Sequence, residues 1–265
     1  MSLSVAIITK NEEANIRRTL ESVKWADEIV VVDSGSTDRT CEIAREYGAK
    51  VFVEEWKGFA KQKNSALEKC TGDWILSLDA DEEVSEELKD FLHSTFRAGG
   101  DLPHTSALGI GRKNHFLGRW IKHGGFYPDV KLRCVRRGHA QFEPRIVHES
   151  LYLTDGSDPS DSCTGASGHL IHHAYPTLSG YIEHMNRYSD LGAEMVVEKK
   201  GKVGFSFLNI VIRPLATFFY NYFLRLGFLD GREGLLLHIY HSVYVSWKYA
   251  KAWEQSKKAK VQSTK

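Results

Sequence analysis

Carboxylates accumulate where an apolar run of the sequence ends. The stretch LSLDADEEVSEEL (76–88) passes from alternating apolar residues into Asp79, Asp81, Glu82 and Glu83. One carboxylate of the Asp-Ala-Asp pair can give an oxygen ligand to a hard divalent cation while the other accepts hydroxyl hydrogens. Mg²⁺ or Mn²⁺ bound in this way keeps coordination positions for phosphate oxygens. The alternative is that these carboxylates only cap the following helix, since acidic first turns are common.

The elements around these carboxylates alternate between strands and helices. Strands are predicted at LSVAIIT (3–9), EIVVVD (28–33), KVFVEE and WILSLDA (74–80), with helical patterns between them. This alternation predicts an α/β fold with a Rossmann-like, mostly parallel sheet flanked by helices. Ligands bind beyond the carboxyl ends of such strands. The residues expected at this common edge are Thr9, Asn11, Asp33, Ser34, Asp79 and Asp81.

Several other functional classes do not fit the sequence. The turn TKNEEAN after the first strand lacks the glycines of a dinucleotide cradle, and the sequence has no Walker motif. A net charge of +1 offers no overall field to attract nucleic acid. Cys41, Cys70, Cys134 and Cys163 are widely spread, which indicates a reduced cytoplasmic setting. The N-terminal residues lack the pattern of a secretory signal peptide.

A basic and aromatic region follows in the second half of the sequence. Its members are Arg112, Lys113, Arg119, Lys122, Lys131, Arg133, Arg136 and Arg137, interleaved with Trp120, Phe126 and Tyr127. Aromatic faces suit sugar rings, and arginines bind phosphates in a bidentate manner. No nucleic-acid-binding module accompanies the region, so we expect a phosphorylated saccharide here rather than nucleic acid.

Three motifs taken together resemble a known family. SVAIITKNEE, IVVVDSGSTDRT and GDWILSLDADEE, in this order and spacing, look like the nucleotide-binding half of family 2 glycosyltransferases with the GT-A fold. Downstream, GRWIKHGGFYPDVKLRCVRRG, VHES, HLIHHAY and YIEHMNRYSDLGAE are similar to the lipopolysaccharide core β-glucosyltransferases of that family. The resemblance covers nearly the whole chain. It implies an inverting, metal-dependent transfer of a hexose, glucose from UDP-glucose, to an inner-core heptose.

The resemblance also implies roles for individual residues. Thr9, Glu12, Asp33 and Ser34 would line the uridine site, Asp79 would contact the ribose, and Asp81 would bind the metal that bridges the diphosphate. Many members have a second carboxylate where Ser34 stands, so the identity of the base stays open. Lys63, on the helix before the fourth strand, is predicted to contact phosphate or sugar, unless it belongs to a solvated helix face.

An inverting transfer needs a carboxylate that removes the proton of the acceptor hydroxyl. Glu149 in IVHES stands where related members have this base, and a surface salt bridge is its alternative. Asp129 is the second candidate. His172 matches the family's strand-end histidine and is predicted to complete the Mg²⁺ or Mn²⁺ site, unless it is structural.

The sequence predicts three functional parts. Residues 1–104 form the donor-binding half of the GT-A domain, 105–200 the acceptor-binding half, and 201–265 a C-terminal extension of amphipathic helices. Polar residues interrupt both late apolar stretches, which argues against a spanning helix of about 20 apolar residues. Aromatic residues with flanking Arg and Lys favour helices that lie on an anionic membrane surface. Packing on the core or a dimer contact is the alternative.

These parts predict a peripheral protein on the cytoplasmic, inner face of the inner membrane. Its partners there would be a UDP-hexose and a lipid-anchored oligosaccharide acceptor. Two rival functions remain at this point. One uses a polyprenyl-phosphate-linked sugar as the acceptor, and the other is a nucleotide-sugar-binding scaffold without turnover.

Overall fold

The computed structural model describes residues 1–97, 105–143, 150–156, 163–201 and 203–262. The strands are β1 (Leu3–Thr9), β2 (Glu28–Asp33), β3 (Lys50–Val53), β4 (Trp74–Asp79), β5 (Glu82–Val84), β6 (Ala107–Phe116), β7 (Arg119–Trp120), β8 (Val130–Arg136), β9 (Ala140–Phe142), β10 (Leu151–Leu153) and β11 (Cys163–Tyr175). The helices are α1 (Glu13–Val23), α2 (Thr40–Glu46), α3 (Phe59–Lys69), α4 (Glu86–Arg97), α5 (Leu178–Lys200), α6 (Arg213–Phe219) and α7 (Gly231–Gln262). The chain divides into a first unit, residues 1–113 and 129–172, and a second unit, residues 114–128 and 173–265.

The first unit is built on a mixed sheet with the strand order β3-β2-β1-β4-β8-β6-β11-β5. The four strands at the start of this order run parallel, as the alternating pattern predicts. The later strands β8 and β6 are antiparallel to their neighbours. The register pairs Thr9 with Asp33 and Ile8 with Asp79, so the parallel strands end together at one edge.

Both faces of the parallel half are buried. Ile7 and Val31 pack in one apolar cluster with α1 and α4, whereas Ile8 and Val32 pack in another with α3. Successive side chains of a strand point to opposite faces, so a sheet covered on both sides requires apolar residues at consecutive positions. The run VAIIT therefore indicates that β1 is a central strand. Its polar last residue lies where the carboxyl ends of the parallel strands meet.

The second unit is mainly helical, and the predicted C-terminal helices are present. Its core contains Phe116, Ile121, Tyr181 and Leu237. Helix α5 packs against α7, and so does α6, which is flanked by the π-helical turns Leu208–Ile212 and Tyr220–Leu224. Across the parts of the chain that the structure describes, no helix combines the length and apolar character needed to cross a membrane.

Candidate active site at the carboxyl edge of the sheet

Two buried hydroxyls lie where β1 and β2 end. Thr9 and Ser34 are only 5% and 8% exposed, and the Ser34 amide donates to the Thr9 carbonyl at 2.9 Å. Among the described residues, neither Thr9 Oγ1 nor Ser34 Oγ has a hydrogen-bond partner. Buried polar groups are normally satisfied, so two neighbouring exceptions indicate a place where a ligand or water completes them.

The loops beside these hydroxyls are shaped by Asp33 and Glu12. The buried Asp33 carboxylate accepts hydrogen bonds from the amides of Gly35 and Ser36 at 2.9 and 2.8 Å, which fixes the turn after β2. Glu12 precedes α1, and its carboxylate accepts from the Asn15 side chain at 2.9 Å. Burial raises the pKa of Glu12, and the charges of nearby carboxylates, including Asp81, raise it further. The negative charges of Asp81, Asp38 and Asp79 therefore act on Glu12.

Asp79 ends β4 between two cations. Lys63 Nζ lies 2.8 Å from Asp79 Oδ1, and Arg133 Nη2 lies 2.8 Å from Oδ2. Burial alone would raise the pKa of Asp79, but Arg133 and Lys63 outweigh it and hold the pKa well below its ordinary value. The Lys63 side chain is only 6% exposed, so Lys63 is not part of a solvated helix face.

A fully buried Glu82 extends this network, and the sequence pattern did not single it out. Arg133 Nη2 and Arg112 Nη1 lie 2.8 and 3.2 Å from Glu82 Oε1, and Glu82 Oε2 accepts from the Asp79 amide at 3.0 Å. Helix α4 begins only at Glu86, so the carboxylates of residues 79–83 do not cap it. The only available signal was strand alternation in EEV, which turns residue 82 inward and residue 83 outward.

Asp81 has a different partner. Antiparallel pairing of β5 with β11 sets His172 opposite Glu82, and His172 Nε2 lies 3.4 Å from Asp81 Oδ2. Burial raises the pKa of Asp81 and lowers that of His172, but their mutual hydrogen bond and attraction outweigh burial in both groups. The pKa of Asp81 is therefore lowered and the pKa of His172 is raised.

The two candidates for the base differ in what the structure describes. Glu149 lies outside the described residues. Asp129 Oδ2 accepts from Nε and Nη2 of Arg112 at 3.0 and 2.7 Å, and its Oδ1 lies 3.3 Å from Lys131 Nζ. The first unit thus contains every described residue of the predicted site, and ion pairs join Lys63 to Asp79 and Asp81 to His172.

Comparison with known proteins shows the family to which the chain belongs. The profile described as "Glycosyl transferase family 2" matches residues 4–114. An uncharacterised glycosyltransferase of Rickettsia typhi is 33% identical over 266 aligned residues, which cover 97% of this chain and 89% of the relative. The chain belongs to glycosyltransferase family 2. The sequence-based identification and the predicted GT-A fold with its C-terminal helices are confirmed.

Two further matches of this glycosyltransferase are informative in different ways. The lipopolysaccharide core biosynthesis glycosyltransferase LpsC of Rhizobium meliloti is 30% identical over 238 residues, covering 87% of this chain and 82% of the relative. Among solved structures, S. aureus TarS 1-349 in complex with UDP is 20% identical and has a TM-score of 0.46, with 98% of this chain and 92% of that chain covered.

The site of the glycosyltransferase suits a cation that is shared with a substrate. Among the described residues, no group of three or more His, Cys, Asp or Glu side chains forms a complete metal cage. Asp81 and His172 offer one oxygen and one nitrogen donor 3.4 Å apart. Mg²⁺ commonly binds through one or two carboxylates together with substrate phosphates and water. The donor set therefore fits Mg²⁺ or Mn²⁺ in the presence of a diphosphate.

Proposed function

We propose that this glycosyltransferase transfers a hexose, glucose from UDP-glucose, with inversion to an inner-core heptose of lipopolysaccharide. One observation carries the proposal: Asp79 ends β4, the strand beside β1, and Asp81 follows it by two residues, while the hydroxyl of Thr9 at the end of β1 is buried without a partner among the described residues. A nucleoside diphosphate has polar atoms that can hydrogen-bond the Thr9 hydroxyl, and it has phosphates that can bind a cation held by the aspartates. The acceptor class is suggested by the LpsC relative, whose name refers to the lipopolysaccharide core.

The proposed donor complex gives each strand-end residue a role. Thr9 and Ser34 hydrogen-bond the uridine, while Asp33 and Glu12 hold the loops that line it. Asp79 accepts a ribose hydroxyl. Lys63, already paired with Asp79 at 2.8 Å, keeps this carboxylate ionised and stationary and stands close to the donor phosphates. Such positioning supplies a large part of the rate of a single displacement.

Asp81 and His172 are proposed to hold Mg²⁺ or Mn²⁺ at this edge. When bound, the cation stabilises the negative charge that develops on the departing diphosphate. His172 must be neutral to donate its nitrogen to a cation, and before a cation binds, the hydrogen bond to Asp81 keeps the imidazole beside the carboxylate.

Glu149 is proposed to remove the proton from the attacking heptose hydroxyl. Asp129 is the second candidate, but the guanidinium of Arg112 and the ammonium of Lys131 both stabilise its ionised form. A carboxylate with two cationic partners accepts a proton less readily than one without them, which counts against Asp129. Glu149 is proposed as the base because it stands where related family members have this carboxylate.

We further propose that residues 1–104 bind the donor, 105–200 the acceptor, and 201–265 an anionic membrane surface. Exposed apolar side chains on and beside α6 support the membrane contact, with Leu215, Phe219 and Leu224 at 61%, 62% and 71% exposure. Arg213 and Arg225 flank them, and such a pattern is typical of helices in the headgroup region. The enzyme would act peripherally on the cytoplasmic face of the inner membrane, where lipid-anchored acceptors are exposed.

The test is UDP release from UDP-glucose, with and without Mn²⁺ or Mg²⁺ and a heptose-containing core acceptor. We expect release that depends on both additions and falls by at least about 100-fold in Asp81→Asn and in Glu149→Gln. His172→Ala should raise the Mn²⁺ concentration that is needed for half-maximal release. Asp90→Asn, an exposed carboxylate change on α4, is the matched control and should behave as wild type.

The outcomes separate the proposal from its rivals. Release with a polyprenyl-phosphate-linked sugar but not with the heptose acceptor would replace the acceptor class and keep the donor chemistry. UDP-glucose binding without release under any condition would refute the proposed reaction. Asp90→Asn losing as much activity as Asp81→Asn would show that charge in general, and not the site, is responsible.

A further inference from the structure

A basic cleft lies in the second unit, and no role in the donor reaction uses it. It has a volume of about 450 Å³ and is lined by Lys122, His123, Tyr127, Arg225 and the leucines at positions 224 and 226. We infer that this cleft binds the phosphate group of a lipid-anchored molecule. The inference rests on the proposed function, because it identifies the second part of the acceptor that the enzyme recognises.

The charge of the cleft favours an anion. The Lys122 ammonium lies 4.4 Å from the centre of the Trp120 ring, and the Arg225 guanidinium lies 5.0 Å from the centre of the Tyr220 ring. Among the residues that the structure describes, no carboxylate forms an ion pair with Lys122 or Arg225. Two cations held on aromatic faces without a neutralising carboxylate suit a phosphate, which arginine binds in a bidentate manner.

The carboxylate of Asp230 supports the backbone of the cleft. Asp230 is 2% exposed and accepts hydrogen bonds from the amides of Lys122 and His123 at 3.2 and 2.8 Å. Its other oxygen lies 2.9 Å from His123 Nδ1. These hydrogen bonds hold the backbone of Lys122 and His123 in place. They also stabilise the negative charge of Asp230.

Unusual backbone conformations keep Arg225 against this loop. Gly124 donates its amide to the Arg225 carbonyl at 2.8 Å, and Gly125 has φ +87° in contact with the Arg225 guanidinium, where a Cβ would overlap Nη1. Leu226 adopts φ +60°, which is unfavourable for a residue with a Cβ. Unfavourable conformations persist where the surrounding structure enforces them, and they concentrate at binding sites. The cleft is therefore a built feature of the fold.

The rim of the cleft indicates a lipid source for the phosphate. Leu224 and Leu226 are 71% and 46% exposed, and Phe223 and Leu229 close by in sequence are 43% and 50% exposed. A site for free phosphate has no need of an apolar rim, whereas a site at the headgroup level of a bilayer requires one. The apolar rim suits the acyl chains of a membrane lipid, and the cationic interior suits the phosphate that is attached to it.

Sedimentation with lipid vesicles tests the inference on the full chain. The vesicles are phosphatidylcholine alone or phosphatidylcholine with phosphatidic acid, without donor or metal. We expect stronger binding to the phosphatidic acid vesicles and a loss of roughly fivefold in Arg225→Gln and in Lys122→Gln, as expected for one cation near an anionic surface. Leu224→Ser should weaken binding to both vesicle compositions.

Arg187→Gln is the matched control, because Arg187 is an exposed arginine of the same unit that lies over the Tyr188 ring at 5.9 Å but does not line the cleft. It should retain wild-type binding, and circular dichroism should show that every variant is folded. Equal losses in Arg187→Gln and Arg225→Gln, or no loss in Arg225→Gln and Lys122→Gln, would overturn the inference. Displacement of the bound protein by equimolar inorganic phosphate would overturn the lipid source.

The vesicle result is independent of the reaction. Because the vesicle assay contains neither UDP-glucose nor acceptor, failure of UDP release leaves its outcome untouched.

Discussion

Removal of Arg133 is the sharpest test of what stabilises the carboxyl ends of the parallel strands. Arg133 is 5% exposed at its side chain and contacts both Asp79 and the fully buried Glu82 at 2.8 Å. In Arg133→Met, Glu82 retains only Arg112 at 3.2 Å as a cationic partner among the described residues. Breaking a buried ion pair from one side leaves an uncompensated charge and costs about 3–5 kcal/mol. Because Glu82 keeps Arg112 and Asp79 keeps Lys63, we expect Arg133→Met to lower the free energy of unfolding by the lower end of this range, about 3 kcal/mol.

Urea unfolding followed by circular dichroism measures this effect. Arg39→Met is the matched control, because Arg39 also pairs with a carboxylate, Glu42 at 3.0 Å, but both side chains are more than half exposed. Such surface pairs contribute little, so this variant should unfold like wild type. Glu82→Gln keeps an acceptor for the Asp79 amide and removes the charge. Combined with Arg133→Met, it should cost at least about 1 kcal/mol less than the sum of the single changes.

Two results would refute this reasoning. If Arg133→Met were no more destabilising than Arg39→Met, the buried network would not be an important source of stability. If the double-variant cycle gave purely additive costs, Arg133 and Glu82 would not interact energetically despite their 2.8 Å contact.

Three further changes test other parts of the fold. Burial would raise the pKa of Glu28, but hydrogen bonds from Lys50 and other donors lower it from 4.5 to about 2. The contribution of the ionised Glu28 to the stability of the folded protein is therefore fully present above about pH 4.5 and is lost as the pH falls towards about 2. Urea unfolding at about pH 6 and about pH 3 should therefore show a smaller acid destabilisation in Glu28→Gln than in wild type, by at most about 2 kcal/mol, because the folded carboxyl is still mostly ionised at about pH 3. Gly124→Ala should lower the melting temperature and cost about 2 kcal/mol or more, because Gly124 has φ +68° and a Cβ would overlap the His238 ring. Tyr181→Ala should cost about 3–5 kcal/mol in urea unfolding, because Tyr181 is 2% exposed in the core of the second unit.

Each of these changes has its own control. Gly118 has φ +82° but open space where a Cβ would lie, so Gly118→Ala should cost only the backbone strain, about 1 kcal/mol. Equal costs at Gly118 and Gly124 would contradict the role of the ring overlap. Tyr152 is 42% exposed, and Tyr152→Ala should be nearly neutral. An unchanged pH profile in Glu28→Gln would show that this carboxylate is not the one responsible for acid destabilisation.

The grouping of polar residues at the carboxyl ends of the parallel strands was largely predictable, because its signals are local. A strand covered on both faces needs consecutive apolar residues, and a polar residue directly after such a run lies at the edge of the sheet. The parallel registers of β1 with β2 and with β4 then bring Thr9, Asp33 and Asp79 to one edge. The pattern of apolar runs and the polar residues after them was sufficient to predict this arrangement.

The partners of the charges were not predictable in this way. Arg112 and Arg133 appeared in the sequence as members of a basic region for phosphate, yet both pair with the buried Glu82. This pairing depends on the order β4-β8-β6, which joins residues about 30 to 50 positions apart and leaves no periodic trace in the sequence. Arg225, which lines the cleft, likewise comes close to Gly125 only through the fold of the second unit.

The two aspartates of the Asp-Ala-Asp motif are chemically identical in the sequence but electrostatically different in the structure. Asp79 has two fixed cations at 2.8 Å, so its charge is already neutralised and it is best used as a hydrogen-bond acceptor. Among the residues that the structure describes, Asp81 pairs only with His172, at 3.4 Å, and His172 loses its positive charge when its proton leaves. A divalent cation gains more from a carboxylate without permanent positive neighbours. The affinity for a cation should therefore reside at Asp81, and Asp79→Asn should weaken Mn²⁺ binding in the presence of UDP far less than Asp81→Asn.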